Sequence, residues 1–82
     1  MEKERTTFVF DSYKLDEYQR GFISAIMYFI TGKPNTTTRW ERACDEDFNN
    51  VLIKHLDCTV EQGCEIIKEI EKIFPGVLIE VS

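Results

Sequence analysis

Asp45-Glu46-Asp47-Phe48-Asn49-Asn50-Val51-Leu52-Ile53-Lys54-His55-Leu56 reads as an amphipathic helix. Phe48, Val51, Leu52, His55 and Leu56 fall at i, i+3, i+4, i+7 and i+8, the spacing of one helical face. Three acids at its start suit the positive end of a helix dipole. Asp57-Cys58 breaks the pattern, so the helix is expected over residues 45–56.

Downstream, Thr59-Val60-Glu61-Gln62 fits a capping box, in which the Thr59 hydroxyl and the Gln62 side chain satisfy each other's backbone N–H. A helix is expected over residues 59–74, with Val60, Cys64, Ile67, Ile70 and Phe74 on its inner face. Ile66 and Ile73 widen that face, and Glu61, Glu65, Lys68, Glu69 and Lys72 form a wet side with oppositely charged neighbours at helical spacing. Pro75-Gly76 stops it, and Val77-Leu78-Ile79-Glu80-Val81 reads as a closing strand.

Upstream, residues 15–31 read as the most apolar helix of the chain. Asp16 or Ser12 can cap its start, and Gly32 with Pro34 can stop it. Tyr18, Phe22, Ala25, Ile26, Phe29 and Ile30 follow helical spacing, while Ile23, Met27 and Tyr28 fill other faces. Its first two turns are polar, and past Gly21 only Ser24 is polar before Thr31. A helix apolar all round is usually buried. Thr6-Thr7-Phe8-Val9-Phe10 is β-branched and aromatic and reads as a strand, with Phe8 and Phe10 on one side. Residues 36–40, Thr36-Thr37-Thr38-Arg39-Trp40, read as a third short strand or as the lead into the next helix.

These elements describe a small α+β domain spanning residues 1–82. A two- or three-stranded antiparallel sheet, from strands at 6–10 and 77–81 and a third at 36–40, packs against three helices at 15–31, 45–56 and 59–74.

Fifteen acidic residues against ten basic ones give a net charge of −5, which argues against direct binding to nucleic acid and to anionic membrane surfaces. A protein partner with a basic surface is the better match. The apolar run of residues 22–30 is shorter than the about 20 residues a bilayer span needs. The charged start Met1-Glu2-Lys3-Glu4-Arg5 is not that of a signal peptide. Cys44, Cys58 and Cys64 are odd in number, as expected of free thiols in a reducing cytoplasm.

No catalytic or metal motif survives inspection. Asp45-x-Asp47-x-Asn49 opens like a calcium loop, but the glycine and glutamate required at its sixth and twelfth positions are Asn50 and Leu56. Gly32-Lys33 followed by Thr36 lacks the glycine-rich run of a phosphate loop. One histidine and three scattered cysteines do not provide close-spaced zinc ligands. No cofactor is therefore expected. His55 with Cys58 is the one pairing that would suit a nucleophile and base, so a small enzyme using His55 and a cysteine is the weakest of three readings.

The favoured reading is a non-enzymatic interaction module, in concrete form a small acidic inhibitor of a nucleic-acid-handling protein of the viral or mobile-element type. Its binding face would be Glu41, Asp45, Glu46 and Asp47, with Trp40 as aromatic anchor. The remaining reading is a homodimerising module, with the first helix or the strand edges as the interface. There, Ile23, Met27 and Tyr28 on the apolar helix mark the interface if nothing else covers them.

Overall fold

The computed structural model describes residues 4–32 and 39–82. The first strand, β1, runs over Glu4–Asp11, and its alternation sends Phe8 and Phe10 inward with no exposed surface. The Asp11 carboxylate accepts the Tyr13 N–H at 3.0 Å and starts a single 3-10 turn over Ser12–Lys14. Helix α1 follows over Glu17–Thr31. Asp16 caps it, accepting the Gln19 N–H at 2.8 Å, while the Gln19 side chain accepts the Asp16 N–H at 2.9 Å. Gly32, in the left-handed region at φ 75°, ends it by donating its N–H to the Tyr28 carbonyl.

The segment 45–56 is not a helix. Strand β2, Glu41–Cys44, and strand β3, Asn50–Cys58, form a hairpin joined by the acidic turn. The physical reason lies in two overlapping periodicities. Leu52 and Leu56 are four residues apart, which fits a helix, yet Leu52, Lys54, Leu56 and Cys58 are also every second residue, and all four are buried. Val51, Ile53, His55 and Asp57 take the other face. A central strand covered on one side and partly on the other lacks clean alternation, and β-branched Val51 and Ile53 favour extended backbone. The strand is fixed by pairing along eight positions with β1, from Glu4↔Cys58 to Asp11↔Val51, and by pairing with β2 on its other edge.

Of the third strand expected at 36–40, residues 36–38 lie outside the described residues. Arg39 and Trp40 belong to no regular element, and the strand begins at Glu41. The second helix, α2, spans Val60–Ile73 and carries the expected capping box between Thr59 and Gln62. The last strand, β4, spans Leu78–Val81. It pairs antiparallel with β1, with a register shift between Val9 and Phe10.

The fold is therefore α+β with one four-stranded antiparallel sheet in the order β2-β3-β1-β4, and two α-helices among the described residues. The element order βαββαβ with the two middle strands of the sheet drawn from β3 and β1 is the split βαβ topology. Both helices cover one face. Phe8 and Phe10 of β1, Leu52, Leu56 and Cys58 of β3, Ile23 and Met27 of α1, and Ile66 and Ile70 of α2 make one apolar cluster. Phe22 and Phe74 close the gap between the helices edge to face, ring centres 5.5 Å apart.

Both helices are rotated from the faces that spacing alone assigned. In α1, Ile23 and Met27 have no exposed surface, whereas Tyr18 and Phe29 are 78% and 81% exposed. In α2, Gly63, Ile66 and Ile70 are buried, and Val60 and Cys64 face solvent. A uniformly apolar helix has several admissible inner stripes, and packing against Phe8, Phe10 and Leu52 chooses among them. No described helix is long and apolar enough to cross a membrane.

Candidate functional site

With both helices on one side, no described helix covers the opposite face of the sheet. Strand register assigns to it Thr7 and Val9 of β1, Val51, Ile53 and His55 of β3, Glu41 and Ala43 of β2, and Glu80 of β4. At the β2–β3 end of this face lies an open groove of about 540 Å³. Its floor is aliphatic, from Val9, Val51, Ile53 and Ile79, and its rim carries the acids Asp45, Glu46, Asp47 and Glu80. None of the described residues lining it is basic. Val51 is 4% exposed although it stands outside the helix-side cluster.

The turn itself is built on Asp45. Its carboxylate accepts the N–H groups of Asp47 and Asn49, each at 2.9 Å, and its own N–H donates to the Asn49 carbonyl at 3.0 Å. These donors, led by the Asn49 backbone N–H, hold the Asp45 carboxyl below its ordinary value of 3.8. Glu46 and Asp47 project from the same turn, exposed. Phe48 is the unusual member: it adopts φ 62° and is 87% exposed. The left-handed region is costly for a bulky side chain, and such strain concentrates where a site is presented.

Of the expected acidic face, the structure brings Asp45, Glu46 and Asp47 to one rim. Glu41 shares the open face but sits further along it, opposite Ile53 in the ladder, with its carboxylate 3.5 Å from His55 Nε2. Trp40 is not part of that face. Its ring packs against Phe10 at 5.2 Å between centres, its indole N–H donates to Ser24 Oγ, and Lys54 Nζ lies 5.0 Å from its centre. That corrects its assignment as the anchor of the acidic face, because one residue before an open-face strand position the chain points the other way. The exposed aromatic of the acidic turn is Phe48, next to Asp47 in sequence. Its signal was the run Asp45-Glu46-Asp47-Phe48-Asn49-Asn50, whose Asp and Asn residues also favour turns.

Of the interface expected at Ile23, Met27 and Tyr28, two residues are corrected to core positions and Tyr28 alone keeps exposed surface. Ile23 and Met27 are covered by the sheet and α2 and belong to the core, while Tyr28 is 42% exposed.

The pairing of His55 with Cys58 is not formed. His55 lies on the open face, its Nδ1 2.9 Å from Thr7 Oγ1, while Cys58 lies buried on the helix face with its thiol against Thr6 Oγ1. Three residues along a strand put two side chains on opposite faces. Cys44 and Cys64 are exposed, and all three thiols are free. Among the described residues, no group of three His, Cys, Asp or Glu side chains converges as a metal site would require.

Compared with known proteins, the chain matches no family model, no curated protein and no solved structure. The split βαβ topology hosts many unrelated functions, so function is read from the groove and its rim rather than from the fold.

Proposed function

We propose that this protein is a non-enzymatic interaction module that docks a basic, partly apolar protein surface on the open face of its sheet. The observation that carries the reading is the groove with an aliphatic floor and four carboxylates on its rim. An apolar floor gains from excluding water, and the acids select a cationic partner and speed its approach. Phe48 stands beside them as an exposed aromatic of the kind that anchors interfaces. Proteins that read nucleic acids commonly present basic grooves, so the concrete form is a small acidic inhibitor of a nucleic-acid-handling protein, of the type viruses and mobile elements carry. It would work in the cytoplasm, where exposed Cys44 and Cys64 stay reduced. On its central strands the open face bears Val9, Val51 and Ile53 with Thr7 and His55, where sheet platforms that bind single-stranded RNA present aromatic rings. That supports a protein partner over direct nucleic-acid binding.

Affinity capture from host lysate tests this, with wild type beside a Glu46→Lys, Asp47→Lys double variant. Asp45 is left intact because it holds the turn. A captured partner lost both in the variant and at raised salt is the expected result. Capture that survives the charge reversal overturns the acidic-rim reading.

A further inference from the structure

We propose that α1 is also the interface of a homodimer, in which two copies pack their exposed helix faces antiparallel about a two-fold axis at Ala25. At about 100° per residue, Ala25 is diametrically opposite the midpoint of the buried pair Ile23 and Met27. Within seven residues of it, short of exposed Glu17 just beyond Tyr18, the solvent-facing residues are Tyr18, Gly21 and Phe22 on one side and Tyr28, Phe29 and Gly32 on the other. Their positions relative to Ala25 are −7, −4 and −3, then +3, +4 and +7. This is the spacing of a single helix face, and a two-fold at Ala25 lets each residue i of one copy meet residue j of the other and the reverse, as an isologous contact requires.

Large residues also meet small ones in that arrangement. Phe29 of one copy falls over Gly21 of the other, Tyr18 over Gly32, and Phe22 beside Tyr28, with each contact made twice. A Cβ added at Gly21 would meet nothing within 4 Å, so the chain's own packing does not demand a glycine there. A glycine inside a helix costs stability relative to alanine. A second helix approaching closely at that point supplies the reason for it.

Charge and area point to the same occupant. The chain carries a net charge of −5, yet residues 21–32 contain no charged side chain. Two copies meet there without like-charge contact, while a basic partner finds no carboxylate to prefer. Taking about 200 Å² for each aromatic side chain, the exposed fractions of Tyr18, Phe22, Tyr28 and Phe29 amount to roughly 500 Å². That is over half of the about 800 Å² per protomer in a standard interface, before the intervening small residues are counted. The antiparallel arrangement also sets the two helix dipoles head to tail. It leaves the acid-rimmed groove of each copy facing outward, on the other side of the sheet.

The test is light scattering behind a sizing column over a concentration series. It compares wild type, Ala25→Lys and Gly21→Leu, each checked for folding by far-ultraviolet circular dichroism. The expected result is a dimer whose dissociation constant rises at least about tenfold in both variants. If Ala25→Lys fails to fold, Gly21→Leu alone decides. In a Cys44→Ser, Cys64→Ser background, Ala25→Cys should form a covalent dimer on mild oxidation, because the two-fold axis brings the pair to disulfide distance. A wild type that is monomeric at the highest concentration overturns the proposal, as does a dimer indifferent to the folded variants or one without the cross-link. The Glu46→Lys, Asp47→Lys variant should still dimerise, so loss of partner capture and loss of the dimer are separate failures.

Discussion

Asp45 holds Asn49 through three hydrogen bonds: carboxylate to backbone N–H at 2.9 Å, carboxylate to side-chain amide at 3.2 Å, and Asp45 N–H to the Asn49 carbonyl at 3.0 Å. The first two are charge-assisted while the carboxylate is ionised and weaken when it is protonated. Asp45→Ala is therefore expected to lower the melting temperature. The folded-state pKa is depressed below 3.8, so the stabilisation is fully present above that value and disappears as pH falls through the lower folded-state pKa. Thermal melts of the two proteins side by side should show a constant gap near neutral pH that narrows once pH drops below 3.8. A gap unchanged in acid would separate the effect from the carboxylate.

Phe48 couples the turn's strain to its proposed use. At φ 62° and 87% exposed, it suffers an unfavourable backbone and gains little burial in return. Glycine adopts that backbone freely, so Phe48→Gly should stabilise the fold by about 0.5–1 kcal/mol. If Phe48 anchors the partner, the same change weakens capture. Chemical denaturation and binding should thus move in opposite directions. A Phe48→Gly protein that binds as well as wild type removes Phe48 from the interface.

Lys54 is 3% exposed on the core-facing side of β3, with its ammonium 5.0 Å from the centre of the Trp40 ring. Desolvation pushes its pKa down from 10.5. Between the depressed folded value and 10.5 the unfolded chain binds more protons, so stability rises with pH across that window. Below it, the cost of holding the charge is present in full. Lys54→Met keeps much of the stem's packing and removes the titration. The variant's stability relative to wild type should be greatest near neutral pH and should decline as pH climbs toward 10.5. Denaturant midpoints measured across that range check it, and parallel curves would contradict it.

What could be read from residues and what could not divide along physical lines. Thr59 with Gln62 and Gly32 were legible because a cap is a local device: hydrogen bonds three or four residues apart form it, and no distant contact is needed. Phe8 and Phe10 were legible as a strand face for the same reason. The segment from Asp45 to Leu56 was not, since Leu52 and Leu56 satisfy both periods and the ladder to Glu4–Asp11, over 40 residues away in sequence, chooses between them. The acids of the rim were found, but their floor was hidden. Val9, Ile53 and Ile79 come together only once β4 lies beside β1 and the turn is a turn. Trp40 was set beside the acids because it precedes Glu41 in sequence, whereas its ring is held by Phe10, a contact between residues far apart in the chain.

The two sides of α1 give the sharpest contrast in stability. Ile23 has no exposed surface and touches the shared core of both helices and the sheet, so Ile23→Ala should cost about 2–5 kcal/mol through lost burial and the cavity left behind. Phe29, six residues on, is 81% exposed, and Phe29→Ala in a dilute monomer should stay within about 0.5 kcal/mol of wild type. A dimer formed through this face adds a signature of its own. Association stabilises the native state by mass action, so wild type should melt higher as protein concentration rises, whereas Phe29→Ala should lose most of that dependence. Ile23→Ala, if it remains folded, should keep it, because its surface stripe is intact. Melting curves at several concentrations for the three proteins measure core and interface in one series. A Phe29→Ala protein as concentration-dependent as wild type would place the association elsewhere on the molecule.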